Sequence, residues 1–159
     1  MDEPTDYDGW LERGRRLYGR CHTSQAHDRA YAAAGIPHQS PFRQCFDGAR
    51  VAFDRAIALR PDAPDAWLMK GQLLVEFEKG HEEEARPVLE RAIELQPANG
   101  EAWMWLGLIA SRRGNLELAK ANLAQAVSLD PHTRDWAVSI YDVPDEAWEQ
   151  FFGEFFPEE

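Results

Sequence analysis

The sequence predicts an all-α fold in which about three helical pairs stack on one another, with a further helical segment at the C-terminal end. Two observations predict it. Stretches that read as a helix, a turn and a second helix recur along the 159 residues, and small, apolar and proline residues return in them at spacings of 36 and 34. Each pair would bury only one apolar face by itself, so successive pairs are expected to stack around a shared core.

Four landmark positions set the register of the repeat. The segments AFDRAIALRP, VLERAIELQP and NLAQAVSLDP align without gaps. The landmarks are three sets of small or apolar residues and one set of prolines: Ala49, Ala85 and Ala119; Phe53, Leu89 and Leu123; Ala56, Ala92 and Ala126; Pro61, Pro97 and Pro131. Upstream, Trp67 and Gly71 return 36 residues later as Trp103 and Gly107. Small residues are expected where two helices approach closely, and each proline ends a pair because it cannot continue a helix.

This pattern resembles the tetratricopeptide repeat, a 34-residue unit with Trp, Leu-Gly, Tyr, Ala, Phe, Ala and a closing Pro. The third repeat, 100–131, fits almost throughout, whereas the second, 64–97, holds two extra residues and has Lys70 in place of the usual leucine. The resemblance implies a right-handed α-solenoid of about three such helix pairs. We expect the whole chain, 1–159, to form one domain of this kind.

The first repeat is predicted over 5–61, in an elaborated form. Its second helix is the stretch FRQCFDGARVAFDRAIALRP, and its first helix is YDGWLERGRRLYGR, in which Trp10 and Gly14 are spaced like Trp67 and Gly71. Between them lies an insert of about 20–41. It contains a candidate short helix, QAHDRAYAAAG, closed by a glycine and a proline.

The last segment, 134–159, is predicted as a capping helix followed by an acidic and aromatic tail. Its first part is expected to cover the last repeat with Trp136, Ile140 and Tyr141. The tail places five aromatic residues on one helical face, namely Trp148, Phe151, Phe152, Phe155 and Phe156. Two interpretations stay open: this face shields the end of the solenoid, or it binds a partner, forms a homodimer or folds back into the groove.

Charge and composition exclude some classes of partner. The formal net charge is −11, which disfavours nucleic acid and an anionic membrane, because both call for a basic surface. No window approaches the roughly 18 apolar residues of a membrane helix, and the acidic start does not read as a secretory signal. Two cysteines make no disulfide framework, so we expect a cytoplasmic protein with reduced thiols.

The resemblance implies a concave groove lined by the first helix of each repeat, which binds a peptide or helix of a partner protein. The candidate partner-binding residues at its groove-facing positions are Leu11, Arg15, Asp65, Leu68, Gln72, Val75, Glu101, Met104, Leu108 and Arg112. Tyr18 and Glu76 occupy such positions as well. Leu11, Leu68 and Met104 would form an apolar column flanked by acidic residues, which suits a segment with apolar anchors and basic residues. The alternative is that this column packs between the helices.

Family members that grip a C-terminal carboxylate do so with Lys, Asn and Arg at such positions. Leu, Gln and Met stand there in this chain, which disfavours that mode of binding. The implied function is therefore a non-catalytic adaptor, scaffold or chaperone that binds a peptide or helix of a partner protein in its concave groove.

Two other functions stay open. Cys21, His22, His27, His38 and Cys45 lie within 25 residues and could serve a metal-binding or redox protein, although no paired ligand spacing is present. We therefore predict no metal site and no cofactor. Neither a nucleophile motif nor a phosphate-binding loop is found, and no enzyme is predicted. The chain could also be a self-assembling structural protein.

Overall fold

A computed structural model describes residues 3–35, 40–77 and 80–135, and every regular element in these ranges is helical. The helices are α1 (Tyr7–Ala33), α2 (Pro41–Leu59), α3 (Pro64–Phe77), α4 (Glu82–Leu95), α5 (Gly100–Arg112) and α6 (Leu116–Leu129). The all-α prediction is confirmed. The predicted cap and tail, from Trp136 onward, lie outside the described residues. No helix within the described ranges is long and apolar enough to cross a membrane.

The helices divide after His81 into two compact units. In the first unit α1 packs along α2, and α3 packs against α2 and more lightly against α1. In the second unit α5 packs along α6, and α4 packs against α5. Each unit therefore contains one helical hairpin, α1–α2 or α5–α6, with a further helix packed on it.

Side-chain caps fix where several helices begin. Asp6 accepts a hydrogen bond from the Gly9 amide at 2.8 Å before α1, and Ser40 accepts one from the Arg43 amide at 3.1 Å before α2. Asn115 does the same for the Leu118 amide at 3.2 Å before α6. These bonds satisfy N–H groups that the first turn of a helix leaves without a partner.

The recurring tryptophans and prolines prove to be hydrogen-bonded to one another. Trp67 donates its indole N–H to the carbonyl of Pro61 at 3.0 Å, and Trp103 donates to the carbonyl of Pro97 at 3.1 Å. The aligned landmark alanines and the large residues between them are all buried. The recurrence in the sequence thus reflects one local geometry that is used in both units.

The first hairpin differs from its prediction in one respect. A separate short helix was expected in the insert, but α1 continues without a break to Ala33. The reason is local: residues 20–33 contain neither glycine nor proline, and the helix ends only before Gly35, whose φ of 67° suits glycine. The extension packs on the start of α2, where Ser40 donates a hydrogen bond to Asp28 and Ser24 contacts Cys45 at 3.7 Å.

Candidate functional site

The first helices of the first two predicted repeats, α1 and α3, run in the same direction in the first unit. At one end, burial and the negative charge of Asp65 on α3 raise the pKa of Tyr7 on α1. The first turns of the two helices are therefore close enough for these residues to interact. Three turns later the Tyr18 hydroxyl donates a hydrogen bond to the Glu76 carboxylate. The two helices therefore share one face along their length, which we call the α1–α3 face.

Contacts with the end of α2 hold the start of this face. Arg60 pairs with the Asp8 carboxylate at 3.0 Å, and its guanidinium lies 3.8 Å from the ring centre of Tyr7. The same cation thus makes an ion pair and a cation–π contact on the first turn of α1. Although the Arg60 and Asp8 side chains are exposed, the Tyr7 ring is buried, and the two contacts together fix where α1 begins relative to α2.

The predicted partner-binding residues of the first unit divide by polarity. The four that are apolar or uncharged are buried, with exposures of 5% for Leu11, 7% for Leu68, 8% for Gln72 and 1% for Val75. The two charged residues, Arg15 and Asp65, are exposed. Leu11 and Arg15 are one helical turn apart, as are Leu68 and Asp65, so each charge stands beside a buried leucine on the same face.

The second unit repeats this division. Met104 is fully buried and Leu108 is 4% exposed, whereas Glu101 is half-buried and Arg112 is exposed. Arg112 lies 3.8 Å from the Glu82 carboxylate. Burial of every apolar member favours the alternative in which the column packs between helices. Their part in partner binding stays a prediction, and the charged positions are those that reach the surface.

A cluster of aromatic rings lies at the far end of the α1–α3 face. It was not predicted from the sequence. The ring centres of Tyr18 and His22 are each near that of Phe77, at 5.4 and 4.7 Å, and Phe42 adds a fourth ring at 5.8 Å. His22 is half exposed and lies 3.6 Å from the Glu76 carboxylate. The only sequence signal was the one-turn spacing of Tyr18 and His22, since the other two rings arrive from separate helices.

The four described cysteine and histidine candidates, Cys21, His22, His27 and Cys45, do not assemble into a group of metal ligands. Within the described residues no three His, Cys, Asp or Glu side chains are grouped as metal ligands. Cys21 and Cys45 are buried free thiols, His22 packs edge to face in the aromatic cluster, and His27 contacts Tyr31 at 5.4 Å between ring centres. His38 lies outside the described residues.

Cys21 is in a poor environment for reactive thiol chemistry. Burial raises its pKa to about 12, with smaller contributions from the neighbouring Cys45 thiol and from the negative charge of Glu76. The thiolate is the form that attacks electrophiles and binds metals, so a thiol that resists ionisation is unreactive. The site thus lends the redox alternative no support.

The raised pKa of Cys21 predicts a specific loss of stability at alkaline pH. The unfolded thiol ionises near pH 8.5, whereas the folded thiol keeps its proton up to about pH 12. The contribution is therefore fully present below about pH 8.5 and is lost as the pH rises toward the folded value. We expect the free energy of unfolding to fall by roughly 1 kcal/mol between about pH 7.5 and 9.5 because of this group.

Urea denaturation of the wild type and of Cys21→Ala at both pH values measures this effect. The variant should lack that part of the decrease. An equal decrease in both proteins would show that Cys21 ionises freely in the folded state.

Comparison with known proteins identifies one family. The tetratricopeptide repeat model matches residues 43–79 and 75–132, which together make up more than half of the chain. A search of the curated proteins found no match.

Proposed function

Because the chain belongs to the tetratricopeptide repeat family, whose repeats generally mediate protein–protein interaction, we propose that it is a non-catalytic adaptor, scaffold or chaperone. It would bind a peptide or helix of a partner protein on the surface of its first helices. The observation that carries this proposal is the α1–α3 face, on which exposed Arg15 and Asp65 stand above buried Leu11 and Leu68.

The chemistry of this face suits a protein segment. Charged residues beside apolar ones, with aromatic rings at one end, resemble the composition of protein interfaces, in which tyrosine, phenylalanine and arginine are enriched. Tyr18 and Glu76 are already oriented by their mutual hydrogen bond, so their ordering costs little when a partner binds. The face thus offers fixed polar groups on two rigid helices.

The net charge narrows the choice of partner. At −11 the chain attracts basic segments and repels polyanions, so the proposed partner is a protein with apolar anchors and lysine or arginine residues, not a nucleic acid or an anionic membrane. We propose that this interaction takes place in the cytoplasm. A homodimer through the C-terminal helix remains a prediction about residues outside the described ranges.

Capture of partners from a lysate of the source organism tests the proposal. The double variant Arg15→Glu/Asp65→Lys reverses two exposed charges on the face and should lose, on the order of tenfold, a partner that the wild type captures. The matched control Arg55→Glu/Asp62→Lys makes the same two changes at exposed positions on α2 and the turn after it, and should keep that partner.

Mass spectrometry of the captured proteins reads both comparisons, with circular dichroism to verify helicity. A partner that all three proteins hold equally would remove the α1–α3 face from the proposal. Failure of the wild type to capture any protein would contradict the adaptor function itself.

A further inference from the structure

The second unit contains a groove of about 770 Å³ between α4 and α6, with α5 as its floor. Ile109 and Ala110 form the buried base, and Ile93, Trp103, Leu106 and Leu118 form the sides. Leu118 is 48% exposed, so part of its apolar surface faces solvent at the edge of the groove. The volume lies within the range of about 300–1,000 Å³ that ligand pockets occupy.

The 36-residue repeat explains why this groove is open. Lys70 of α3 stands where the second unit has Leu106, and Asp54 of α2 stands where it has Glu90. In the first unit the Lys70 ammonium pairs with the Asp54 carboxylate at 2.7 Å, and the lysine side chain is only 15% exposed. The second unit keeps the acid but replaces the lysine with a shorter, uncharged leucine.

A second substitution along the same helix enlarges the space further. Ala110 occupies the position that corresponds to Leu74, a fully buried residue of α3. The second unit therefore loses both a long side chain and a branched one from the floor of its groove.

The charged side chains around the groove differ in whether they form ion pairs. Arg86 and Arg113 both pair with Glu83, and Glu94 pairs with Arg91 at 2.7 Å. Glu90 lines the same edge, and it makes no ion pair within the described residues. Arg86, Glu94 and Arg113 line the groove as well, but each of them has an ion-pair partner. The groove thus offers apolar walls beside one carboxylate that has no ion pair in the described residues, next to Leu106, where the first unit has Lys70.

We infer that this groove binds a segment of a partner protein in which a large apolar side chain stands next to a lysine or arginine. The apolar side chain would lie against Leu106 and Ile93, and the cation would pair with Glu90 as Lys70 pairs with Asp54. The stretch of α4 from Arg86 to Glu94 is about 12 Å long, which accommodates two turns of a helix or about four extended residues. The inference rests on the proposed function and adds to it a second surface with a stated partner chemistry.

The negative charge of Glu90 and of the whole chain favours a segment of another protein, and not a segment of this chain, as the occupant of the groove. Residues 144–159 contain six acidic residues and no lysine, arginine or histidine, so this segment has no cation for Glu90. A second copy of the chain would bring a net charge of −11 toward a surface of the same sign. A basic segment of another protein fits the carboxylate and the overall field.

A library of random 12-residue peptides displayed on phage, selected on the full chain and sequenced, tests the inference. The decisive variant is Leu106→Lys, which copies the residue that the first unit already accommodates and should therefore fold. Its new ammonium would pair with Glu90 and occupy the part of the groove between position 106 and that carboxylate. Glu90→Gln removes only the charge. Ser128→Lys is the matched control, because it adds a lysine at an exposed position near the C-terminal end of α6 that does not line the groove.

The expected result is enrichment of peptides that carry an apolar residue beside lysine or arginine. Binding of the best synthetic peptide, read by fluorescence polarisation, should weaken on the order of tenfold for Leu106→Lys and a few-fold for Glu90→Gln. The Ser128→Lys control should bind it like the wild type. These results together would support the groove and its partner chemistry.

Other outcomes would overturn the inference in distinguishable ways. Selected peptides that bind Leu106→Lys as tightly as wild type would exclude the groove but leave the adaptor function standing. Selected peptides without a basic residue, or displacement by a synthetic peptide of residues 144–159, would exclude the partner chemistry. If no peptide is enriched on the wild type, the inference fails, and capture of a partner from the lysate then decides separately whether the proposed function stands.

Discussion

Replacing Gly14 with alanine is expected to destabilise the first unit by about 1–3 kcal/mol. A Cβ atom at this position would lie 2.6 Å from Cδ1 of Phe53 and nearer still to Cε1 of the same ring. Because Phe53 is fully buried in a close-packed interior, its ring cannot move aside without disturbing other contacts. The glycine is thus what allows α1 and α2 to approach.

Gly19→Ala is the matched control for this prediction. Gly19 lies on the same helix, and a Cβ there would meet no heavy atom within 4 Å. Alanine should stabilise the helix at that position by about 0.5–1 kcal/mol, because glycine loses more backbone entropy on folding. Urea denaturation followed by circular dichroism compares the two variants.

A third variant tests the mechanism of the Gly14 effect. Gly14→Ala/Phe53→Leu should recover part of the lost stability, since a smaller side chain would make room for the methyl group. If Gly14→Ala proves as stable as Gly19→Ala, the close approach of α1 to Phe53 is contradicted.

Met104→Glu is expected to reduce stability more than Gly14→Ala does and to unfold most of the second unit. Met104 is fully buried on α5, so a glutamate there would place an unpaired charge in the core or take up a proton. Such a change ranks among those that cost more than about 4 kcal/mol, which is close to the whole stability of a small domain. Most of the helical signal of α4 to α6 should then be lost.

Leu116→Glu serves as the control for Met104→Glu. Leu116 is 47% exposed in the first turn of α6, where a negative charge is favoured by the helix dipole, so the change should be neutral within about 0.5 kcal/mol. Thermal unfolding measured at 222 nm compares the two variants. A Met104→Glu protein with wild-type stability would show that this side chain reaches the surface and can contact a partner directly.

The sequence allowed the helical repeat to be predicted because its landmarks act locally. Trp67 and Trp103 recur with Pro61 and Pro97 because each tryptophan bonds the carbonyl of a proline six residues earlier. The spacing of these residues in the sequence was therefore sufficient to predict the helical repeat. The length of α1 could not be read in the same way, because its extension beyond the first repeat pattern has no landmark and is defined by the absence of a helix breaker.

The candidate site was harder to predict than the fold. Periodicity places Leu68 and Met104 at corresponding positions, but it cannot tell whether a side chain at such a position is covered by its neighbours. The aromatic cluster joins Tyr18, Phe42 and Phe77 from three helices, and only tertiary packing brings these together.

The groove of the second unit had a sequence signal whose meaning required the structure. Lys70 stood out as a departure from the family pattern, and its pairing with Asp54 explains it. Because Leu106 and Glu90 occupy the corresponding positions in the second unit, the pairing shows that the space a lysine would take beside Glu90 is left open by the leucine. The departure at Lys70 in the second repeat thus led to the groove beside Leu106 in the third.

Site-specific photo-crosslinking in cells of the source organism tests the central claim, that the α1–α3 face binds a partner protein, most directly. A benzoylphenylalanine introduced at Arg15 samples the exposed face, and one introduced at Arg55 samples an exposed position on α2. The proposed function predicts a discrete crosslinked protein from position 15 and none from position 55. Absence of a crosslink from position 15, or the same products from both positions, would contradict it.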